Sequence, residues 1–329
     1  MTAPIRWGIL GTGAIAHAFA TGLRHTPDAL LAAVGSRTQA GADAFAREFG
    51  AAAAYGSYEA LAAAPGVDIV YIGTPHPLHA ANALLALNGG KAVLCEKPFA
   101  MNRREADAVV ALARTRNLFL MEAMWTRFMP ALAEVKRIMA GGEIGAITQV
   151  QADFGFSATR DPEHRVNKRA LGGGALLDLG IYPLSIACAL LGPVDNVRAQ
   201  GVMSETGVDA TTAFTMMHAG GTLSVCSCSL RARSSCELIV SGTAGSIRME
   251  RMFHLAERIT VEVEGQAPRT IATPWLGNGY THEAIAAGDC LRAGWIEHPL
   301  MRHEETLAQM ALLDEIRRQI GLRYPADDQ

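Results

Sequence analysis

The sequence has no run of eighteen or more uninterrupted apolar residues, the length a membrane-crossing helix needs. Its start does not read as a signal peptide either. Arg6 is followed by a short apolar run that gives way to Gly11 and Gly13, where a long hydrophobic region would be required. Charge of one sign is not in excess: the formal net charge is −3, and no basic stripe with interleaved aromatics occurs, so nucleic acid is not an expected partner. Cysteine is sparse. Cys95, Cys188, Cys226, Cys228, Cys236 and Cys290 are scattered over 329 residues, too thinly for a disulfide framework. Cys226 and Cys228 form a C-x-C with no second cluster, which lacks the spacing of a metal site, so no metal is expected. Repeats and low-complexity linkers are missing, the nearest thing being the alanine run at 51–54. These absences together predict a cytoplasmic protein with reduced thiols and no membrane partner.

What remains is a balance of 50% apolar and 19% charged residues, that of a globular chain, and a length that suits two domains. Over the first 120-odd residues strand-like and helix-like segments alternate. Strands are expected at 6–10, 30–34, 68–72, 92–95 and 118–121, with helices at 15–23 and 38–49, the latter stopped by Gly50. Asn102 with Glu105 three residues later is a capping-box start for a further helix. Alternation of this kind implies parallel pairing in a doubly wound sheet. The pattern changes after Met121. Helices are expected at 130–140 and 175–191, but 194–264 is strand-rich, with hairpin turns around 219–221 and between Gly242 and Gly245. Two helices, 281–293 and 303–320, close the chain. The expected fold is therefore α/β: a Rossmann-type domain at 1–122, then an α+β domain at 123–329 with a large, mostly antiparallel open sheet.

Gly11-Thr12-Gly13-Ala14-Ile15-Ala16 is a G-x-G-x-x-A between the first strand and first helix. Gly11 permits the tight turn, Gly13 lets backbone approach a pyrophosphate, and Ala14 and Ile15 open the helix whose N-terminus would receive it. NAD enzymes usually carry an acidic residue at the end of the second strand, on the ribose 2′-hydroxyl. Here Ser36 and Arg37 stand there, donors and positive charge that suit a 2′-phosphate. NADP(H) is preferred, with NAD(H) still compatible.

At the carboxyl edge of the same sheet, where ligands bind in open α/β folds, comes Gly73-Thr74-Pro75-His76. Thr74, Pro75 and His76 are candidate cofactor contacts. His79 opens the next helix and reads as a structural hydrogen-bonder first and a cofactor contact second. The fifth strand ends in Cys95-Glu96-Lys97-Pro98. Lys97 would face the cofactor cleft, Glu96 would accept from the nicotinamide ribose, and Pro98 admits a cis peptide. In the second domain a glycine run at 172–174 opens a helix with Asp178 and Tyr182 four apart, hence on one face. A phenol has a pKa of about 10 unperturbed, and a nearby ammonium makes it a competent acid/base by stabilising phenolate. Tyr182 and Lys97 are therefore expected to form a proton-transfer pair, with Asp178 orienting one of them or the substrate.

Taken together these residues resemble the glucose–fructose oxidoreductase/inositol dehydrogenase (Gfo/Idh/MocA) family over essentially the full length. Within it the chain is most similar to the branch of dimeric dihydrodiol dehydrogenases and NADP-dependent D-xylose dehydrogenases. The resemblance is carried by the G-T-G-A-I-A turn, Gly73-Thr74-Pro75-His76, the E-K-P of residues 96–98, and Met124-Trp125-Thr126-Arg127-Phe128. The 172–182 segment and Leu322-Arg323-Tyr324-Pro325 complete it. It implies that Lys97 is catalytic and that the open sheet forms a homodimer or larger oligomer. Much of the family has a histidine where Tyr182 stands, which makes inositol-type substrates a poorer fit. It also implies that Trp125 and Arg127 lie near the cofactor, and that Arg165, Asn167, Lys168 and Arg169 contact substrate. Tyr280 joins this substrate set.

The expected reaction is reversible oxidation of a secondary or hemiacetal hydroxyl, hydride passing to nicotinamide while Tyr182 takes the proton. Small-molecule substrates are expected, sugars first, then cyclic polyols or dihydrodiols. Two rivals keep the cofactor: a reductase of a non-sugar compound, and a catalytically silent NADP(H) sensor or scaffold.

Overall fold

In the computed structural model, residues 3–328 are described, and they divide into two units. The first comprises the residues up to Trp125 together with Leu276–Met310, and the second Thr126–Trp275 together with the residues from Ala311. The expected boundary at 122/123 lies close to the first crossing. The return of Leu276–Met310 to the first unit was not foreseen.

The first unit is a parallel sheet in the order β3-β2-β1-β4-β5-β6. The strands are β1 (Ile5–Leu10), β2 (Ala29–Gly35), β3 (Ala53–Tyr55), β4 (Ile69–Ile72), β5 (Ala92–Glu96) and β6 (Leu120–Ala123). β4, β5 and β6 are buried at every position, so they read as continuous apolar runs. Helices α1 (Ala14–Leu23), α2 (Gln39–Phe49), α3 (Tyr58–Ala62), α4 (His79–Asn88) and α5 (Arg103–Arg116) connect them. The local start and stop signals act as sequence predicts. Thr38 accepts the Gly41 N–H ahead of α2, Gly50 ends that helix at φ +76°, and Asn102 accepts the Glu105 N–H at the start of α5. The alanine run at 51–54 is not a linker but leads into the edge strand β3, paired with β2. In the core the Tyr71 ring stacks on Phe19 at 3.7 Å, with Trp7 beyond it. Helix α8 (Tyr280–Ala293) packs on α1, its Thr281 hydroxyl donating to Gly22 O and Asn278 Nδ2 to Ala18 O.

The second unit holds eight strands in the order β14-β13-β12-β11-β7-β10-β9-β8. Their ranges are β7 (Ile147–Gly155), β8 (Val194–Met203), β9 (Asp209–His218), β10 (Leu223–Ser229), β11 (Leu238–Gly242), β12 (Gly245–Met249), β13 (Arg258–Val263) and β14 (Arg269–Ala272). Both expected hairpins form. All pairings are antiparallel except β7 with β10, a long-range parallel pair that sequence pattern could not reveal. Burial alternates along β9 and β10, with one face covered and the other presenting Met217 and Val225. The covered face meets α7 (Ile181–Leu191) and the segment leading into it. Helix α6 (Pro130–Ala140) precedes β7. Helix α9 (His303–Ile320) gives its first part to one unit and its last to the other. The stretch Arg169–Leu191 is long and apolar enough to cross a membrane by composition, but 78% of that window is buried inside the protein.

Candidate active site

In the first unit Gly11 turns the chain at φ +107°, and a Cβ there would meet Gly73 O at 2.9 Å. Gly13 caps α1 in extended conformation with no side-chain cap and no acid in the first turn, and a Cβ there would meet nothing within 4 Å. The opening N–H groups of a helix have no intrahelical partner. Ala16 is fully buried against the sheet. A phosphate-bearing dinucleotide fits this turn: the chain packs closely at Gly11, and Gly13 leaves its own side open to a pyrophosphate's approach. At the end of β2, Ser36 is buried with its hydroxyl 3.3 Å from that of Thr12, while Arg37 is exposed beside Tyr58.

After β4, Thr74 and His76 are buried. His79 is not placed to touch a ligand. Its Nδ1 lies 2.7 Å from Pro98 O and its Nε2 2.8 Å from Thr74 O, so both ring nitrogens are engaged by backbone carbonyls. The ring ties the Gly73–His76 loop to the E-K-P loop, which corrects the reading of His79 as a cofactor contact and retains its structural alternative. The peptide between Lys97 and Pro98 is cis.

Glu96 is also committed inward. Tyr71 Oη donates to its Oε1 at 2.5 Å and the Lys97 N–H to its Oε2 at 3.1 Å. Burial pushes the Glu96 carboxyl up to about 7, against the Tyr71 hydrogen bond and the Lys97 charge. Behind it Glu283 in the first turn of α8 is fully buried, with neither carboxyl oxygen hydrogen-bonded. Burial first, then the charge of Glu96, raises it well above the carboxylate range, so it is held as a neutral acid. Sequence reading missed Tyr71 and Glu283. Tyr71 lies inside an apolar strand, and Glu283 has the pattern of an ordinary acid at a helix start. Trp125 and Tyr280 face each other at 4.9 Å within this unit.

In the second unit the expected regular helix at 175–191 is broken in two. Leu176–Gly180 is a π-helical turn holding Asp178, and α7 follows with Tyr182. A wide turn does not preserve the one-face geometry of a four-residue spacing, and the two side chains meet different partners. Buried Asp178 accepts from both Arg165 guanidinium nitrogens at 3.2 Å. Tyr182, also buried, lies against Phe154 at 5.2 Å and His254 at 5.7 Å, those two stacked on each other at 4.4 Å. Arg127 is buried and donates to the Ser185 hydroxyl and carbonyl, both at 3.0 Å, so it braces α7. Of the remaining loop residues, Lys168 pairs with Glu163 at 2.6 Å and Arg169 is exposed. A cavity of about 490 Å³ in this unit is lined by Thr159, Arg160, Asn167, Thr206 and Asp209 among others, and draws in neither Asp178 nor Tyr182.

A parallel doubly wound sheet, an open glycine turn at a helix start and a lysine at the carboxyl edge define a dinucleotide-binding oxidoreductase. The chain belongs to the Gfo/Idh/MocA family: residues 5–124 match the model of the oxidoreductase family with NAD-binding Rossmann fold, and 132–248 that of the GFO/IDH/MocA C-terminal domain. It is 38% identical to trans-1,2-dihydrobenzene-1,2-diol dehydrogenase of Danio rerio, over 99% of each chain. The same enzyme of Bos taurus is also 38% identical, over 98% of this chain and 99% of that one. Among solved structures, an aldose-aldose oxidoreductase from Caulobacter crescentus superposes with a TM-score of 0.87 at 27% identity, covering 96% of this chain and 97% of the other. A 3-ketoreductase from Actinomadura kijaniata, in complex with NADP and TDP-benzene, gives 0.85 at 28% identity, covering 96% and 98%. The protein is thus a dehydrogenase or reductase acting on a small molecule.

Proposed function

We propose that this enzyme is an NADP(H)-dependent dehydrogenase of a vicinal ring diol, a trans-dihydrodiol or an aldose, with Tyr182 and Lys97 as its proton-transfer pair. The observation that carries the reading is the placement of Lys97 at the carboxyl end of β5, on the same sheet edge as the open turn at Gly13. A nicotinamide bound on this sheet edge would supply the acceptor for the hydride of the carbinol carbon. Tyr182, held as phenolate by the Lys97 ammonium, takes the hydroxyl proton and becomes the phenol, while Lys97 also holds the substrate oxygen. Asp178, fixed by Arg165, orients the substrate. Ser36 and Arg37, with no carboxylate between them, select the 2′-phosphate. The relatives named above support both substrate classes, and the 3-ketoreductase has been solved as lysine-to-alanine and tyrosine-to-phenylalanine variants. The open face of the second sheet, with Val202, Met217 and Val225 exposed, is the surface proposed for a homodimer.

NADP+ reduction, followed at about 340 nm, tests this with trans-dihydrodiols and aldoses, and with Lys97→Ala and Tyr182→Phe beside the parent. Activity lost in both variants supports the pair. Full turnover in Tyr182→Phe at every pH refutes it.

A further inference from the structure

Asp209, the first residue of β9, is fully buried. Its Oδ2 accepts the Leu176 N–H at 2.8 Å and the Thr212 hydroxyl at 2.7 Å, while its Oδ1 has no hydrogen-bond partner. Leu176 opens the π-helical turn that carries Asp178 and leads directly into α7 with Tyr182. A carboxylate there lies against the positive end of the helical stretch and satisfies an otherwise orphaned donor, although it comes from a strand far away in sequence.

The glycine run at 172–174 is shaped around this contact. At Gly174, with φ +121°, a Cβ would fall 2.2 Å from Asp209 Oδ1, and at Gly173 it would meet Val166 O at 2.6 Å. The Gly173 carbonyl accepts from Tyr324 Oη at 2.6 Å. The backbone of this turn is drawn in against protein groups.

We propose that Asp209 is a positioning residue for the reaction, its buried charge fixing the start of the helix that presents Asp178 and Tyr182. This rests on the assignment of Tyr182 as proton carrier. Burial pushes the Asp209 carboxyl up to about 6, opposed by the Thr212 hydroxyl and the backbone N–H groups of Leu176 and Ala175. The groups that face it are Cys228 of β10 and Tyr324 beyond α9. Both are raised well above their ordinary range, by burial first and then by the charge of Asp209. Asp178 adds to the negative charge felt at Tyr324, and Arg317 opposes it.

The test is steady-state kinetics of Asp209→Asn, Asp209→Ala and Thr212→Val in the full-length enzyme between pH 5 and 8, with NADP+ affinity measured by fluorescence. Asp209→Ala should lower kcat by about ten- to a hundredfold, with NADP+ affinity changed by less than about twofold. Asp209→Asn keeps an acceptor for Leu176 and should recover part of the loss. Its kcat should match the parent near pH 5, where the parent's carboxyl is protonated, and fall behind as the parent ionises. Thr212→Val should move the parent's acid limb to higher pH, since one hydrogen bond to the ionised form is gone. A ratio of parent to Asp209→Asn that does not change with pH would reduce Asp209 to a packing residue and overturn the proposal. That readout stands even if Asp209→Ala fails to fold. If Tyr182→Phe retains full turnover, the assignment beneath it falls and the proposal with it. If Tyr182→Phe is inactive and all three Asp209 and Thr212 variants keep parental kcat, only the proposal falls.

Discussion

The two glycine turns of this chain, Gly11 to Gly13 and Gly172 to Gly174, are alike in sequence and do opposite things. At Gly13 a Cβ would meet nothing within 4 Å, and no side chain caps the start of α1. By contrast, Gly173 and Gly174 stand against carbonyl oxygens and a buried carboxylate, with no room for a methyl group. Glycine before a helix permits close approach, but whether a ligand or the protein itself approaches depends on what the rest of the fold brings there. The turn at Gly13 is left to a ligand, and the turn at Gly174 is filled from within by Asp209 and Tyr324.

This contrast is challenged most directly at Gly174. Gly174→Ala should cost roughly 3 kcal/mol or more, from left-handed strain and overlap with Asp209. Urea denaturation measures it, and a variant as stable as the parent would mean that this turn is as open as the one at Gly13. Gly13→Ala should do the reverse, leaving stability within about 1 kcal/mol while NADP+ binding weakens by about tenfold or more, because the methyl group enters the space meant for pyrophosphate. Equal loss of stability at both glycines would erase the difference between them. Beside the Gly11–Gly13 turn, Arg37→Ala should weaken NADP+ by about ten- to a hundredfold and leave NAD+ nearly unchanged, as competitive titration of the two cofactors would show.

The buried carboxyls of the two units extend the contrast to pH. Glu96 and Asp209 are raised to about 7 and about 6. The native state therefore binds more protons than the unfolded chain from the ordinary carboxyl range up to those values. Stability should fall as pH rises from about 4 to about 7, and Glu283, raised well above the carboxylate range, should prolong the fall beyond that window. Urea midpoints at constant ionic strength test this, and stability that climbs through the window would contradict it. The smallest effect is expected from Glu283→Gln. Replacing an acid already held neutral should change stability by less than about 1 kcal/mol at pH 7, whereas Glu283→Lys would place an unpaired charge in the same pocket and unfold the first unit.

Much of the fold was legible because its signals are local. The Asn102 cap, the stop at Gly50 and the turn at 219–221 all act within a few residues. The site was legible in part, as side chains at strand and helix ends: Lys97 follows β5 and Tyr182 lies in α7, whereas Asp178 sits on a π-helical turn where a regular helix was expected. The partners of those side chains were not. Tyr71 and Glu283 behind Glu96, Arg165 on Asp178, His254 beside Tyr182, and Asp209 under the Leu176 turn come from elsewhere in the chain. So does the parallel pairing of β7 with β10.

Hydrophobic period and short motifs are written along the chain, and they were enough for the doubly wound sheet, the phosphate-binding turn and the family. Folding alone decided which glycine turn is open, which histidine is tied to carbonyls, and which carboxyls are buried against their ionisation. Those outcomes depend on desolvation and on contacts between residues far apart in the chain, and neither quantity exists until the chain has folded.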